Sequence, residues 1–397
     1  MKALVFNDVG DIELKDVHEP AIKDQTDAII KITTTTICGT DLHMVRGTIT
    51  GMKKGTILGH EGVGVVEKVG THVKNFHVGD RVIVPSTIAC GSCEYCQKEL
   101  YSQCNASNPN GPDKGTAFYG GPEASGPFNG MQAEKVRVPY ADTNLIKIPE
   151  GITDEQVILL SDILPTAYMG VEFAEVKPED TVAVFGCGPV GQLVIACLKR
   201  LNPHKIIAID RVSSRLKLAE SQGATTINFE EHDPVKELKK LTNGKGPNKI
   251  IDAVGVDAQC PKSTDSEEKK EFKKEVKKIA PKKNVQGGNW VPGNGPSQVL
   301  RWAVEAIAKA GTISIIGVYS DESKMFEVGA AMEKNITVRS GNCNHRKYIP
   351  MLLEWVKDGS FKSSKFLTQK ASFADIVHAY KKFDKRAANW VKVVLSV

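Results

Sequence analysis

The chain has 397 residues, 41% hydrophobic and 25% charged, an ordinary globular composition long enough for two or three domains with sizeable cores. Lys+Arg 52 against Asp+Glu 47 leaves a net charge of +5, too mild to imply a nucleic-acid partner. No run of about 18 apolar residues is present, so no membrane-spanning helix and no membrane partner is expected.

The opening stretch MKALVFNDVGDIELKD alternates like a strand and lacks the apolar core of a signal peptide, so the expected compartment is the cytoplasm. Nine cysteines in a reducing compartment read as metal ligands or packed thiols rather than disulfides. Residues 28–33, 62–68, 81–84 and 135–138 are β-like segments broken by glycine, and no long helical period appears in this part of the chain. That pattern suits a barrel-like β unit.

Two polar clusters interrupt it. C-G-T-D-L-H puts a thiol, a hydroxyl and an imidazole (Cys38, Thr40, His43) within six positions, and G-H-E-G follows with His60 and Glu61. Cys38 and His60 supply two of the three protein ligands of a catalytic zinc, which keeps a fourth position for water or substrate. No unclaimed cysteine lies between Cys104 and the glycine loop near 186, so Asp162 in L-L-S-D-I-L-P-T is the candidate third ligand. Taken alone, Asp162 reads more often as a helix N-cap than as a ligand. His43 has a plain alternative too, as a satisfied core histidine. The second cluster, Cys90, Cys93, Cys96 and Cys104, has two-residue gaps that let four thiolates close on one ion. A closed tetrahedral shell leaves no open position, so this zinc is structural and folds a lobe too short for its own core.

Near residue 165 the texture changes. TVAVF (181–185) is a buried-strand run, followed by an apolar helix; KIIAID (205–210), NKIIDAVG (248–255), GTISIIG (311–317) and NITVRS (335–340) are further strands, and 212–222 is a helix ended by Gly223. Strands alternating with helices predict a parallel sheet with right-handed crossovers. Gly186, Gly188 and Gly191 form G-x-G-x-x-G between strand and helix, with Pro189 and Val190 inside the motif. Such glycines allow a tight turn and close approach of a pyrophosphate to the helix N-terminus. Asp210 ends the next strand, nineteen residues after Gly191, where a carboxylate accepts from ribose hydroxyls and repels a 2′-phosphate. The expected cofactor is therefore NAD, with Arg211 and Arg215 among its expected contacts and Arg211, beside Asp210, leaving some room for NADP. Asp252, Val254 and Gly255, with Gly317, Val318 and Tyr319, read as lining the cofactor cleft or as plain strand-end turns.

Residues 262–283 carry nine lysines and five acidic residues. Thr264 with Glu267 reads as a capping box, Glu267–Lys270, Glu271–Lys274 and Glu275–Lys278 as supporting pairs, and Phe272, Val276 and Ile279 as a thin apolar stripe. The expectation is a solvated surface helix followed by a loop to about 297. The tail NWVKVVLSV predicts a last strand returning to the first domain.

In combination, C-G-T-D-L-H, G-H-E-G, the cysteine quartet and G-C-G-P-V-G resemble the zinc-containing medium-chain alcohol dehydrogenases, and S-D-I-L-P-T-A-Y resembles their glutathione-independent formaldehyde dehydrogenase branch. The resemblance implies an α/β protein with three parts. Residues 1–165 would form a GroES-like β-barrel catalytic domain with the structural zinc lobe, and 166–340 a Rossmann doubly wound, NAD-binding domain with a Lys-rich insert at 256–297. Residues 341–397 would return to the catalytic domain. It implies two zincs per chain, with Asp162 as the third catalytic ligand and Glu61 orienting ligands or visiting the metal. Thr40 would place its hydroxyl beside the reacting oxygen, and His43 would pass the proton on by way of the ribose. The implied activity moves a hydride between NAD and a small alcohol or hydrated aldehyde, formaldehyde favoured, in a homo-oligomer (tetramer or dimer). A carboxylate is a harder ligand than a thiolate, which makes the metal more electrophilic and suits hydrated aldehydes. The alternatives are a general primary-alcohol or polyol dehydrogenase and a non-catalytic NAD-binding relative. The Lys-rich segment has no counterpart in the resemblance.

Overall fold

A computed structural model describes residues 1–397, which divide into two compact units. One comprises 1–165, 283–290 and 342–397; the other comprises 166–282 and 291–341.

The first unit is built on a seven-stranded sheet. Its path runs Leu367–Ser372, Lys392–Ser396, Ala28–Thr36, Gly62–Val69, Arg81–Val84 and Ile146–Lys147, with Lys135–Val138 paired to one end of Ala28–Thr36. Ala28–Thr36 is the spine. It is rich in β-branched residues, which favour the extended chain, and only Lys31 on it is exposed. It takes Lys135–Val138 and Lys392–Ser396 along its length, with Gly62–Val69 on its other edge, all antiparallel. The pairing of Val394 with Thr36 ties the C-terminal strand to the segment that leads into Cys38. Two apolar clusters fill the unit, one around Leu42, Met44, Trp290 and Tyr380, the other around Ile30, Val82 and Met131.

A short helix, Gly39–Arg46, follows the spine; the sequence reading had no helix here. Its eight residues span barely two turns, too short for an apolar period to stand out. Gly47 ends it at φ 76, a left-handed turn that glycine adopts without strain.

The second unit is a six-stranded sheet in which every pairing is parallel. The order is Thr225–Asn228, Lys205–Asp210, Thr181–Phe185, Lys249–Asp252, Thr312–Ile315, Thr337–Ser340, or 3-2-1-4-5-6 by chain position. This is the doubly wound Rossmann order, and its switch point lies between Thr181–Phe185 and Lys249–Asp252. Every residue of Thr181–Phe185 is buried, as expected of a central strand covered on both faces.

The Lys-rich segment forms the helix Ser266–Ile279, with Phe272, Val276 and Ile279 buried as its stripe predicts. Two local expectations are corrected. The N-cap is Asp265, which accepts from the amides of Glu267 and Glu268, rather than Thr264. Glu271 and Glu275 reach Arg301 on the next helix, at 3.1 and 3.6 Å, rather than lysines on their own helix; Glu267–Lys270 forms at 2.8 Å. Arg301 also lies over the Phe272 ring, so a planar cation packed on the apolar stripe gathers the carboxylates that mobile lysines do not hold.

The loop after this helix does not stay with the nucleotide-type unit. Residues 283–290 belong to the first unit, where Trp290 is 2% exposed within the apolar cluster. Asp384 fixes the crossing: its Oδ2 accepts from Asn289 Nδ2 at 3.0 Å and from the Trp290 amide at 2.8 Å, while Oδ1 pairs with Arg46 at 2.8 Å.

No single helix is long and apolar enough to cross a membrane.

Candidate active site

Cys38 Sγ, a His60 ring nitrogen and carboxylate oxygens of Glu61 and Asp162 lie within 4.8 Å of one another, all four buried. Local structure delivers each one. Cys38 leaves the spine strand and N-caps the short helix, with its amide donating to Asp41 Oδ2 at 2.9 Å. His60 and Glu61 immediately precede the strand Gly62–Val69. Asp162 is the single residue between the turn Ile158–Ser161 and the helix Ile163–Ala174.

The spacing matches a tetrahedral ion. Asp162 Oδ2 is 3.7 Å from Cys38 Sγ and 3.3 Å from His60 Nε2. With metal–ligand bonds of about 2.3 Å to sulfur and about 2.1 Å to nitrogen and oxygen, those edges of a zinc tetrahedron come to about 3.6 and 3.4 Å. The donor set of thiolate, imidazole and carboxylate is also one zinc takes, and with both acids ionised it neutralises a divalent cation. The three residues therefore fit a zinc ion.

Electrostatics agree with a site that wants a cation. Burial pushes the Cys38 thiol up, and Glu61 adds to it. Burial alone would push the His60 imidazole down, but Asp41, Asp162 and Cys38 hold it well above its ordinary value. Burial alone would raise the Asp162 carboxyl, yet hydrogen bonds from His345 and His60 keep it well below the usual carboxylate range.

Several supporting residues carry no local sequence signal. Asp41 Oδ1 sits 3.0 Å from His60 Nδ1, an arrangement that turns Nε2 toward the ligand cluster. Gln132 Nε2 donates to Asp41 at 3.2 Å, and Tyr380 OH donates to Gln132 Oε1 at 2.6 Å. Glu61 does not face the cluster alone. Lys392 Nζ donates to its Oε1 at 2.7 Å and to Ile37 O at 3.1 Å, and Thr36 Oγ1 donates to Oε2. Glu61 and Lys392 are both 0% exposed. Burial pushes Glu61 up to about 7 against the pull of Lys392. His345, at the start of the helix His345–Lys357, donates from Nε2 to Asp162 Oδ1 at 2.8 Å.

Thr40 and His43 are three positions apart on the helix Gly39–Arg46 and so share a face. His43 is buried, with Nδ1 2.8 Å from Thr48 Oγ1, a partner the sequence reading did not identify.

The cysteine quartet also closes on one point. Cys93 Sγ lies 3.5 Å from Cys96 Sγ and 3.8 Å from Cys104 Sγ, and Cys90 Sγ is 4.0 Å from Cys96 Sγ. A zinc–sulfur distance of about 2.3 Å gives tetrahedral edges of about 3.8 Å. Amides of Ser92 and Cys93 donate to Cys90 Sγ, and that of Cys90 to Cys104 Sγ, as suits thiolates. Cys93 is drawn down to about 6: burial opposes ionisation, but amide hydrogen bonds from Cys96 and Asn105 outweigh it.

In the second unit, the motif Gly186–Gly191 leaves the strand at the switch point and opens the helix Pro189–Leu201. A Cβ at Gly191 would lie 1.8 Å from Gly186 O, so strand and helix approach too closely for any side chain there. Asp210 ends its strand with Oδ2 accepting from the Cys187 amide at 2.8 Å and Oδ1 from the amides of Arg211 and Val212 at 2.6 and 2.9 Å. The carboxylate is thus fixed against the glycine loop, and the Arg215 guanidinium lies 3.8 Å from where a Gly188 Cβ would stand. Across the switch point, Asp252 Oδ1 accepts from the amides of Val254 and Gly255 at 2.8 and 3.1 Å, and Tyr319 OH donates to Oδ2 at 2.7 Å. Tyr319 thereby joins the loop containing Gly317 and Val318 to the 253–255 turn.

The alcohol dehydrogenase GroES-like domain model matches residues 24–150, and the zinc-binding dehydrogenase model matches 189–266. The chain is 36% identical over 340 residues to a zinc-type alcohol dehydrogenase-like protein, AdhB, of Bacillus subtilis (strain 168), covering 85% of this chain and 84% of that one. It is 31% identical over 309 residues to the glutathione-independent formaldehyde dehydrogenase of Pseudomonas aeruginosa (strain LESB58), covering 76% and 67%. Among solved structures, the alcohol dehydrogenase TADH from Thermus sp. ATN1 superposes over 100% of both chains with a TM-score of 0.81 and 32% identity. With two converging donor sets, a doubly wound sheet and these relatives, the chain belongs to the zinc-type alcohol dehydrogenases, oxidoreductases of the medium-chain fold.

Proposed function

We propose that the protein is an NAD-dependent dehydrogenase that interconverts a small primary alcohol, or the hydrate of a small aldehyde, with its oxidised product, formaldehyde hydrate being the favoured substrate. The observation that carries this reading is the convergence of Asp162 Oδ2 with Cys38 Sγ and His60 Nε2. Those three residues would hold a catalytic zinc, and the four cysteines a structural one. When bound, zinc supplies Lewis-acid chemistry that lets a hydroxyl ionise near neutral pH, and NAD supplies the hydride acceptor.

The chain's own part is positioning. Cys38, His60 and Asp162 would hold the ion and leave it open to the substrate oxygen. Asp41 Oδ1 lies 3.0 Å from His60 Nδ1 as an ion-pair contact, and Lys392 keeps Glu61 paired beside the cluster. Thr40 would offer its hydroxyl oxygen to the proton being lost, and His43, with Nδ1 2.8 Å from Thr48 Oγ1, would receive it. Support for NAD comes from the glycine cradle at the switch point and from Asp210, whose fixed carboxylate favours a free 2′-hydroxyl over a 2′-phosphate. Support for formaldehyde comes from the carboxylate ligand and from the relative that bears that activity in its name. A general alcohol dehydrogenase is the second reading, favoured by the overall likeness to the Thermus alcohol dehydrogenase.

The test is an NAD- and NADP-reduction screen over formaldehyde, short primary alcohols and polyols, with mass spectrometry of the purified protein for retained cofactor. NAD reduction fastest with formaldehyde is the expected result. Faster turnover of alcohols or polyols selects the second reading, and no reduction with any of them refutes both.

A further inference from the structure

Asp162 has two oxygens, and the surroundings divide them. Oδ2 faces Cys38 Sγ at 3.7 Å and His60 Nε2 at 3.3 Å. Oδ1 is 2.8 Å from His345 Nε2. His345 is itself 2% exposed, with Nδ1 3.1 Å from Thr87 Oγ1, and that hydroxyl reaches Cys343 O at 3.5 Å. The imidazole is therefore clamped at both nitrogens between the Thr87 hydroxyl and the Asp162 carboxylate.

A carboxylate left to itself can swing both oxygens onto a divalent ion, and the second oxygen would then fill the corner a substrate needs. Oδ1 is held toward His345, and turning it onto the ion would strain that hydrogen bond, so Oδ2 is the oxygen placed for the metal. We propose that His345 is a positioning residue that restricts Asp162 to one-oxygen ligation and so keeps the fourth coordination position of the catalytic metal vacant. The inference rests on the reading of Cys38, His60 and Asp162 as a zinc site. The carboxylate makes such a clamp necessary, because a cysteine ligand has one donor atom and needs none.

Two substitutions separate this role from mere packing. In His345→Gln the amide nitrogen sits where Nε2 was and still donates to Oδ1, but the Thr87 contact is lost. In His345→Asn the amide reaches Thr87 but falls short of Asp162. The full-length protein is prepared with Co²⁺ in the three-residue site and zinc in the four-cysteine site, and the cobalt bands and the rate of cobalt loss to a chelator are recorded. Loss of an outer hydrogen bond of this kind weakens metal retention by about 10–100-fold. His345→Asn should lose cobalt that much faster and show the weaker visible bands of a higher coordination number. His345→Gln should resemble wild type in both. The four-cysteine zinc, retained in both variants, reports that they are folded. If His345→Asn keeps wild-type bands and wild-type retention, or if both variants fail alike, the inference is overturned. A wild-type protein that takes up no cobalt outside the four-cysteine site would sink the zinc reading itself, and the inference with it.

Discussion

Lys392→Met tests the buried charge pair beside the site. Lys392 and Glu61 are both 0% exposed, with Nζ 2.7 Å from Oε1, so removing the ammonium strands a carboxylate in the interior. Breaking a buried pair from one side costs about 3–5 kcal/mol. The pH dependence identifies the cause. Burial pushes Glu61 up to about 7 in the intact pair, against an ordinary value of 4.5. For an acid raised in this way, stability is fully present below the unfolded value and is lost as pH rises toward the folded value. In the wild type that loss stops near 7. In Lys392→Met the folded value rises further, so the loss continues at about 1.4 kcal/mol per pH unit. Between pH 7 and about 8.5 the stability gap between the two proteins should therefore widen by about 2 kcal/mol. Urea unfolding followed by tryptophan fluorescence across that range measures it. A gap that stays constant with pH would refute the reasoning, because it would mean Glu61 is not the group left unpaired.

Other outcomes follow from the same physics. In the metal-free site Cys38 and His60 are both raised and so hold protons at neutral pH, which a cation must displace. Zinc affinity should rise with pH, and calorimetry at pH about 7 in buffers of different ionisation heat, with the four-cysteine site already filled, should find about two protons released; none released would contradict this. Trp290→Ala should cost about 3–5 kcal/mol in thermal or urea unfolding, since the ring is 2% exposed in the apolar cluster. Trp290→Phe should cost much less, because it also removes an indole N–H that is buried without a partner; the reverse order would contradict the packing account. Asp162→Cys, which exchanges a hard ligand for a soft one, should change the ratio of aldehyde to alcohol turnover, and an unchanged ratio would count against the carboxylate as the source of substrate preference.

What the sequence made legible is what chemistry forces into short windows. The cysteine quartet, Cys38 with Thr40 and His43, and the glycine loop between strand and helix all depend on neighbours a few positions away, so spacing alone carries them. Asp162 is intermediate. Its own surroundings favour a helix start over a ligand, and only the family resemblance favoured the ligand. The outer partners left no trace, because each comes from a remote part of the chain. His345 is 183 residues from Asp162, and Lys392 is 331 residues from Glu61. Neither lies in a pattern that distinguishes it from any other buried histidine or strand-end lysine. The insert shows the same limit on a smaller scale. Thr264 with Glu267 and Asp265 with Glu268 both satisfy a capping pattern, and the fold uses the second. The crossing of 283–290 into the first unit depends on Asp384, about a hundred residues away, a distance no local period encodes.

The most direct test of the account is metal content per chain, measured by mass spectrometry on dialysed wild type and Asp162→Ala. The account predicts two zinc ions in the wild type and one in the variant, with the remaining ion lost only when Cys93 or Cys96 is also replaced. Two ions in Asp162→Ala, or a single ion in the wild type, would contradict it.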